Sequence, residues 1–287
     1  AGSMAASTTV SRWFSTSRGK ALGVAAIGTS AGGIVIPALI AYWIETENWR
    51  VALENLSILA FLVILPLVVL TVRGKPEDIG LTAEEDPGAD QTTAMGGLTV
   101  KQILGRPAFW HIGLSLGILF CVYSAVLSNL APYGKDLGFS TAQSSGLIMI
   151  LAVASFVGKI VFGMLADRIS LKTGLFAAIG LVAITLVLLS LQPGYPLVVL
   201  AAVLMGLATG GMLPVWGSMM ARCFGLISYG KAMGLMGPVL TLSVMPSFLI
   251  MGRLYDMSGS YQLGMMVFCG LSLVSAAMLV PLKIEDQ

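Results

Sequence analysis

The sequence predicts an all-α polytopic membrane protein, and three observations carry that prediction. Only 10% of the 287 residues are charged while 56% are hydrophobic; an average soluble domain carries about 25% charged residues. Mean hydropathy is +0.90. The apolar residues collect into stretches close to the roughly 20 residues that a helix needs to cross a bilayer. So few charges cannot cover the surface of a soluble enzyme. A net charge of +2 with no basic run argues against disorder and nucleic-acid binding, and the lack of strict apolar alternation argues against an outer-membrane barrel. Cys121, Cys223 and Cys269 lie apart in apolar stretches, so no disulfide, metal site or cofactor is expected.

Eight spans are expected, at about 21–43, 51–72, 109–132, 143–165, 173–191, 196–221, 232–252 and 262–282. Between the second and third lies the only long polar segment, Arg73 to Pro107. It holds Lys75-Pro76-Glu77-Asp78, Glu84-Glu85-Asp86-Pro87 and Gly96-Gly97 and reads as a solvated linker. The other connections are short, which makes consecutive helices antiparallel. The expected organisation is an incomplete N-terminal bundle over 1–74 (two spans and the tail of a third), a cytoplasmic linker over 75–107, and a six-helix bundle over 108–287.

Basic residues set the orientation. With the linker in the cytoplasm, Arg12, Arg18, Lys20, Arg73, Lys75, Lys101, Arg106, Arg168, Lys172, Arg222, Lys231 and Lys283 fall on that side, and Arg50, Lys135 and Arg253 fall outside. This positive-inside bias places both termini in the cytoplasm, and a bacterial inner (plasma) membrane is the expected location. Small residues recur at GxxxG spacing at Gly19/Gly23, Gly28/Gly32, Gly113/Gly117, Gly206/Gly210 and Gly230/Gly234, which permits close helix approach. Gly210-Gly211 followed by Pro214 predicts a bent helix.

Two distant segments match. Phe14 to Glu45 carries Arg18-Gly19-Lys20-Ala21-Leu22-Gly23 and Pro37. Phe224 to Asp256 carries Tyr229-Gly230-Lys231-Ala232-Met233-Gly234 and Pro246. Each is followed by an acidic loop, an aromatic (Trp49, Tyr261) and a final span. A parallel repeat of two six-span halves predicts that four spans precede Ala1.

A twelve-span protein of two six-span halves resembles the major facilitator superfamily. Gly163-Met164-Leu165-Ala166-Asp167-Arg168-Ile169-Ser170-Leu171-Lys172 is similar to that family's loop motif, G-x-x-x-D-R-x-G-x-K, in its usual place between the second and third spans of a half. Ser170 replaces the motif's glycine, which predicts a less regular turn. Arg12-Trp13-Phe14, Arg18 to Gly23, Asn48-Trp49-Arg50, and Gly252-Arg253-Leu254-Tyr255-Asp256 with Gly259-Ser260-Tyr261 resemble the monocarboxylate and oxalate/formate branch. The resemblance implies rocker-switch alternating access. It also implies that Gly163, Asp167, Arg168 and Lys172 form a gating motif, in which Asp167 meets a helix N-terminus or Arg222 and latches the outward-open state.

Lys159 is the one basic residue inside a span. A buried ammonium there costs several kcal/mol unless it reaches water, a carboxylate or a ligand. It stands eight residues before Asp167, about 12 Å down a helix, too deep for an easy snorkel, so a water-filled cavity is expected beside it. The branch tends to carry a basic residue four positions before the motif's first glycine, here Gly163, and the resemblance implies that Lys159 binds the substrate carboxylate. Ser155 occupies a position where that branch can place an aspartate. No carboxylate lies deep in any expected span: Glu45, Glu47, Asp136 and Asp256 fall in outer loops, and Glu54 reads as the ion-pair partner of Arg50 one turn earlier. A proton-coupling group therefore lies outside this sequence, or transport is not proton-driven. Tyr123, Asn129 and Tyr133 are candidates for the cavity wall, and Trp216 for the wall or the lipid face. His111, the only histidine, reads as a residue of the membrane boundary.

The expected function is that of a fragment of a secondary transporter for a small organic anion, a mono- or dicarboxylate, by symport or antiport. Its partners are that anion and the bilayer, with no nucleic acid, and the full-length protein is expected to be monomeric. A transporter of a neutral or drug-like substrate and a non-transporting receptor are the alternatives. An enzyme would need a Ser/His, Cys/His, HExxH or paired-aspartate site inside the spans, and the sequence holds none.

Overall fold

A computed structural model describes residues 46–72, 97–166 and 170–281, with Gly80 and scattered positions between 9 and 44. The described elements are helical: α1 (Trp49–Leu59), a π-helical turn (Ala60–Ile64), α2 (Leu65–Thr71), α3 (Val100–Leu104), α4 (Pro107–Asp136), α5 (Thr141–Ala166), α6 (Leu171–Ser190), α7 (Tyr195–Val244), α8 (Pro246–Ser258) and α9 (Gln262–Leu279). Seven helical stretches among the described residues are long and apolar enough to cross a membrane. The expected span at 21–43 falls largely outside the described residues; those described within it, such as Val24, Val35 and Ile40, are helical.

Local chemistry explains the element ends. The Asn48 side chain caps α1, accepting from the amides of Arg50 (2.9 Å) and Val51 (3.2 Å). Pro66 near the start of α2 has no N–H to give, and the turn before it widens into the π form. The stretch from Phe61 to Leu70 is exposed throughout, a surface that suits hydrocarbon and not water. Ser170 caps α6 by accepting from the Thr173 amide at 3.1 Å. The motif turn expected to be irregular thus ends in a standard N-cap, because serine supplies an acceptor that glycine lacks.

α7 has 50 residues, about 75 Å at 1.5 Å per residue, far beyond one bilayer. The chain reverses within it at Gly225 (φ 71°, ψ 161°), a conformation open only to glycine, and two spans result, Tyr195–Gly225 and Ile227–Ser258. The bend expected at Gly210-Gly211 and Pro214 is not where the helix breaks. Those glycines instead lie in the tightest helix seam of the bundle, between α5 and the first half of α7. A Cβ on Gly158 would sit 2.5 Å from the Leu207 carbonyl oxygen, one on Gly206 would sit 2.9 Å from the Ser155 amide, and one on Gly210 would sit 2.8 Å from the Lys159 amide. The contacts pair rising numbers on both helices, so α5 and this half of α7 run parallel.

The GxxxG expectation therefore holds at Gly206/Gly210. It also holds at Gly113/Gly117, which receive Met236 and Ser243 from the second half of α7. Among the described residues nothing lies within 4 Å of a Cβ at Gly28 or Gly234; Gly19 and Gly23 lie outside the described residues. Buried side chains of α4, α5, α6, α7 and α9, among them Ile112, Leu119, Leu151, Val182, Met205, Met212 and Phe268, form one core. Ser115 and Ser275 bind each other across α4 and α9, hydroxyl to hydroxyl at 2.8 Å, which satisfies both inside apolar surroundings.

Candidate functional site

Helix arithmetic places the expected site residues by depth. One end of the bundle carries Asp136 and Tyr195, and the other carries Arg222. Measured from the Asp136 end at 1.5 Å per residue, Tyr123 lies at about 20 Å, Ser155 at about 21 Å, Lys159 at about 27 Å and Trp216 at about 32 Å. These four spread over about 12 Å of depth in the interior of the bundle. Asn129 and Tyr133 lie shallower, at roughly 11 Å and 5 Å.

Lys159 is only 6% exposed. Its backbone is fixed by the glycine seam, because Gly210 lets α7 ride directly over the Ser155 carbonyl and the Lys159 amide. Half-buried Ser155 lies one turn away on α5. Trp216 is 5% exposed, which places it inside the bundle and not against lipid. Among the described residues its indole Nε1 is buried without a hydrogen-bond partner, at a cost of about 1–3 kcal/mol. A bound acceptor is one way to recover that cost.

The shallower residues have other commitments. The Asn129 amide donates to the Ala125 carbonyl of its own helix at 2.8 Å. The Tyr133 hydroxyl donates to the Leu189 carbonyl at 2.6 Å, and its ring meets Tyr261 edge-on with centroids 5.9 Å apart. The Tyr255 ring lies 4.5 Å from Tyr261, tilted by 39°, and the Tyr255 hydroxyl neighbours the Asp136 carboxylate. Tyr133, Asp136, Tyr255 and Tyr261, with Leu137, Gln192, Gly259 and Ser260, line a cavity of about 240 Å³ at the Asp136 end. Burial, then the neighbouring Asp136 and Tyr255, push the Tyr261 phenol above its ordinary range. The cluster clasps α4, α6, α8 and α9 together. Each of these aromatics stands apart in the sequence; their convergence is a tertiary fact with no local spacing signal.

Of the expected gating motif, Asp167 and Arg168 lie outside the described residues. Gly163 is buried. The Lys172 ammonium donates to the Val280 carbonyl at 2.8 Å, capping the end of α9, where a cation meets both free carbonyls and the negative end of the helix dipole. Lys172→Met should lower the thermal stability of the purified protein by about 1–2 kcal/mol, read as a fall in unfolding temperature. The Arg50 guanidinium lies over the Trp49 ring, 4.3 Å from its centroid.

The model of the Major Facilitator Superfamily matches residues 1–169 and 146–286. Monocarboxylate transporter 12 of Homo sapiens is 25% identical over 296 residues, covering 94% of this chain and 57% of its own length. The MFS-type transporter pynF of Aspergillus niger is 27% identical, covering 96% of this chain and 61% of its own length. The chain thus spans about three fifths of the length of these curated relatives. In fold it matches the crystal structure of a Major Facilitator Superfamily transporter, FucP, in the outward conformation. The TM-score is 0.63 and the identity 13%, over 92% of this chain and 68% of that one.

Proposed function

We infer the function from one premise: the chain belongs to the Major Facilitator Superfamily, a superfamily of multi-pass membrane transporters and not of enzymes. It is distantly homologous to monocarboxylate transporter 12 over most of its length. From this premise we propose secondary transport of a small organic anion, a mono- or dicarboxylate, by rocker-switch exchange between two halves. Residues 1–74 contribute to one half, 108–287 form the other, and 75–107 link them on the cytoplasmic side. The observation that carries the substrate class is Lys159, a cation 6% exposed in mid-helix. The buried Trp216 N–H, about 5 Å deeper than Lys159 by helix rise, is a second candidate donor for a carboxylate, and Ser155 and Tyr123 lie about 6–7 Å on its other side. The carboxylate-named human relative agrees with this reading. Asn129 and Tyr133 belong to the approach from the Asp136 end. The Gly163–Lys172 motif, with Asp167 and Arg168, acts as the gate.

The test is uptake by the reconstituted protein of a labelled monocarboxylate, against its neutral amide. The carboxylate should be taken up and should be competed by other carboxylates, with the amide excluded. Equal uptake of the amide would favour a neutral or drug-like substrate. Saturable carboxylate binding without uptake would favour a receptor.

A further inference from the structure

The segment joining the linker to α4 is held against the reversal at Gly225. Leu98 donates its amide to Ser228 Oγ at 2.8 Å, and a Cβ on Gly97 would collide with Ile227 at 2.6 Å. Thr99 and Gln102 close a capping box on α3, Ile103 is fully buried, and Phe109 meets Phe224 edge-on at 6.1 Å. This strap carries Arg106, whose guanidinium donates to the Cys223 carbonyl at 2.8 Å. One of five N–H donors is used in that bond, and the rest of the fork remains at an exposed position. Arg222 is exposed next to the same residue, and both guanidiniums lie within electrostatic reach of the Cys223 thiol. Lys101 and Lys231 are exposed on the same strap and the same reversal. Close to the two arginines along the chain, on the strap, the start of α4 and the reversal, stand the exposed apolar side chains of Leu104 (37%), Trp110 (44%) and Ile227 (56%). The Trp110 indole N–H is anchored on the Leu104 carbonyl at 2.9 Å.

We propose that Arg106 and Arg222, set at the reversal of α7, bind the phosphate of an anionic phospholipid, with Trp110, Leu104 and Ile227 against its glycerol and acyl region. Guanidinium forks match phosphate oxygens in geometry as well as charge. A tryptophan anchored at the polar–apolar boundary marks headgroup level. The combination of two forks with exposed apolar side chains fits a lipid and not a free ion. Occupancy would fasten the strap, and with it the linker, to the membrane surface at this end.

The test is native mass spectrometry of the purified chain titrated with phosphatidylglycerol or phosphatidylcholine. Phosphatidylglycerol should bind at least tenfold more tightly. Arg222→Gln, which leaves the Arg106 bond to Cys223 in place, should weaken phosphatidylglycerol roughly fivefold, and Arg106→Gln with Arg222→Gln about 25-fold, at about fivefold per cation removed. Phosphatidylcholine, whose phosphate charge is offset by its own choline, should lose affinity by a smaller factor, and an unchanged unfolding temperature of Arg222→Gln shows that the variant is folded. Arg253→Gln at the opposite end should alter neither lipid. Equal binding of the two lipids, unchanged phosphatidylglycerol affinity in Arg222→Gln, or displacement of the lipid by equimolar inorganic phosphate would each overturn the proposal.

Discussion

Gly210→Val should cost the protein about 3 kcal/mol or more and abolish a sharp unfolding transition in detergent. The new Cβ would lie 2.8 Å from the Lys159 amide and 3.0 Å from the Gly158 carbonyl carbon. These are backbone atoms, so no rotamer change relieves the clash and the two helices must part. Overpacking a core usually costs about 1–3 kcal/mol, and a valine placed against backbone belongs at the upper end. Gly180→Ala and Gly270→Ala are the controls. Nothing lies within 4 Å of a Cβ at either site, so alanine should be neutral or should stabilise by up to about 1 kcal/mol through helix propensity. Thermal unfolding of the three variants checks the pair of expectations together.

The second large effect is expected at Lys159. Lys159→Met keeps much of the side-chain length and removes the charge. A charge-assisted hydrogen bond is worth roughly 1.5–3 kcal/mol, so affinity for a carboxylate should fall about 10- to 150-fold, at 1.4 kcal/mol per tenfold. Lys159→Arg should retain part of the affinity, because the charge survives while the donor geometry changes. If the lysine served structure alone, Lys159→Met would lower the unfolding temperature and leave the dissociation constant where it was. Equilibrium binding and thermal unfolding on the same preparation separate the two roles.

Much of the fold was legible from composition and periodicity, because the bilayer admits only a narrow class of structures. The span lengths, the antiparallel order and the glycine contact at Gly206 and Gly210 all followed from local sequence. Gly158, the facing residue in that seam, has no GxxxG partner and emerges only from the register of one helix on another. The polar composition of the linker hid the strap at its end. Yet Thr99-Val100-Lys101-Gln102 has the spacing of a capping box, and that signal was there to be read. Gly210, Gly211 and Pro214 suggested a bend because glycine and proline mark irregular helices. In the packed bundle the glycines are instead consumed by close approach, and Gly225 carries the reversal. Lys159 and Trp216 were legible as an ionisable and an amphipathic residue inside apolar stretches. The commitment of Tyr133 to the Leu189 carbonyl was not, since the two are separated by 56 residues and no periodicity links them.

The most direct test of the central claim, that Lys159 pairs with the charge of the substrate, is a ratio of affinities. Binding of one monocarboxylate and its neutral amide would be measured on the wild-type protein and on Lys159→Met. The account predicts a wild-type preference for the carboxylate of about tenfold or more, which collapses toward unity in Lys159→Met because the carboxylate binds more weakly while the amide is unaffected. A preference that persists unchanged in Lys159→Met would contradict it.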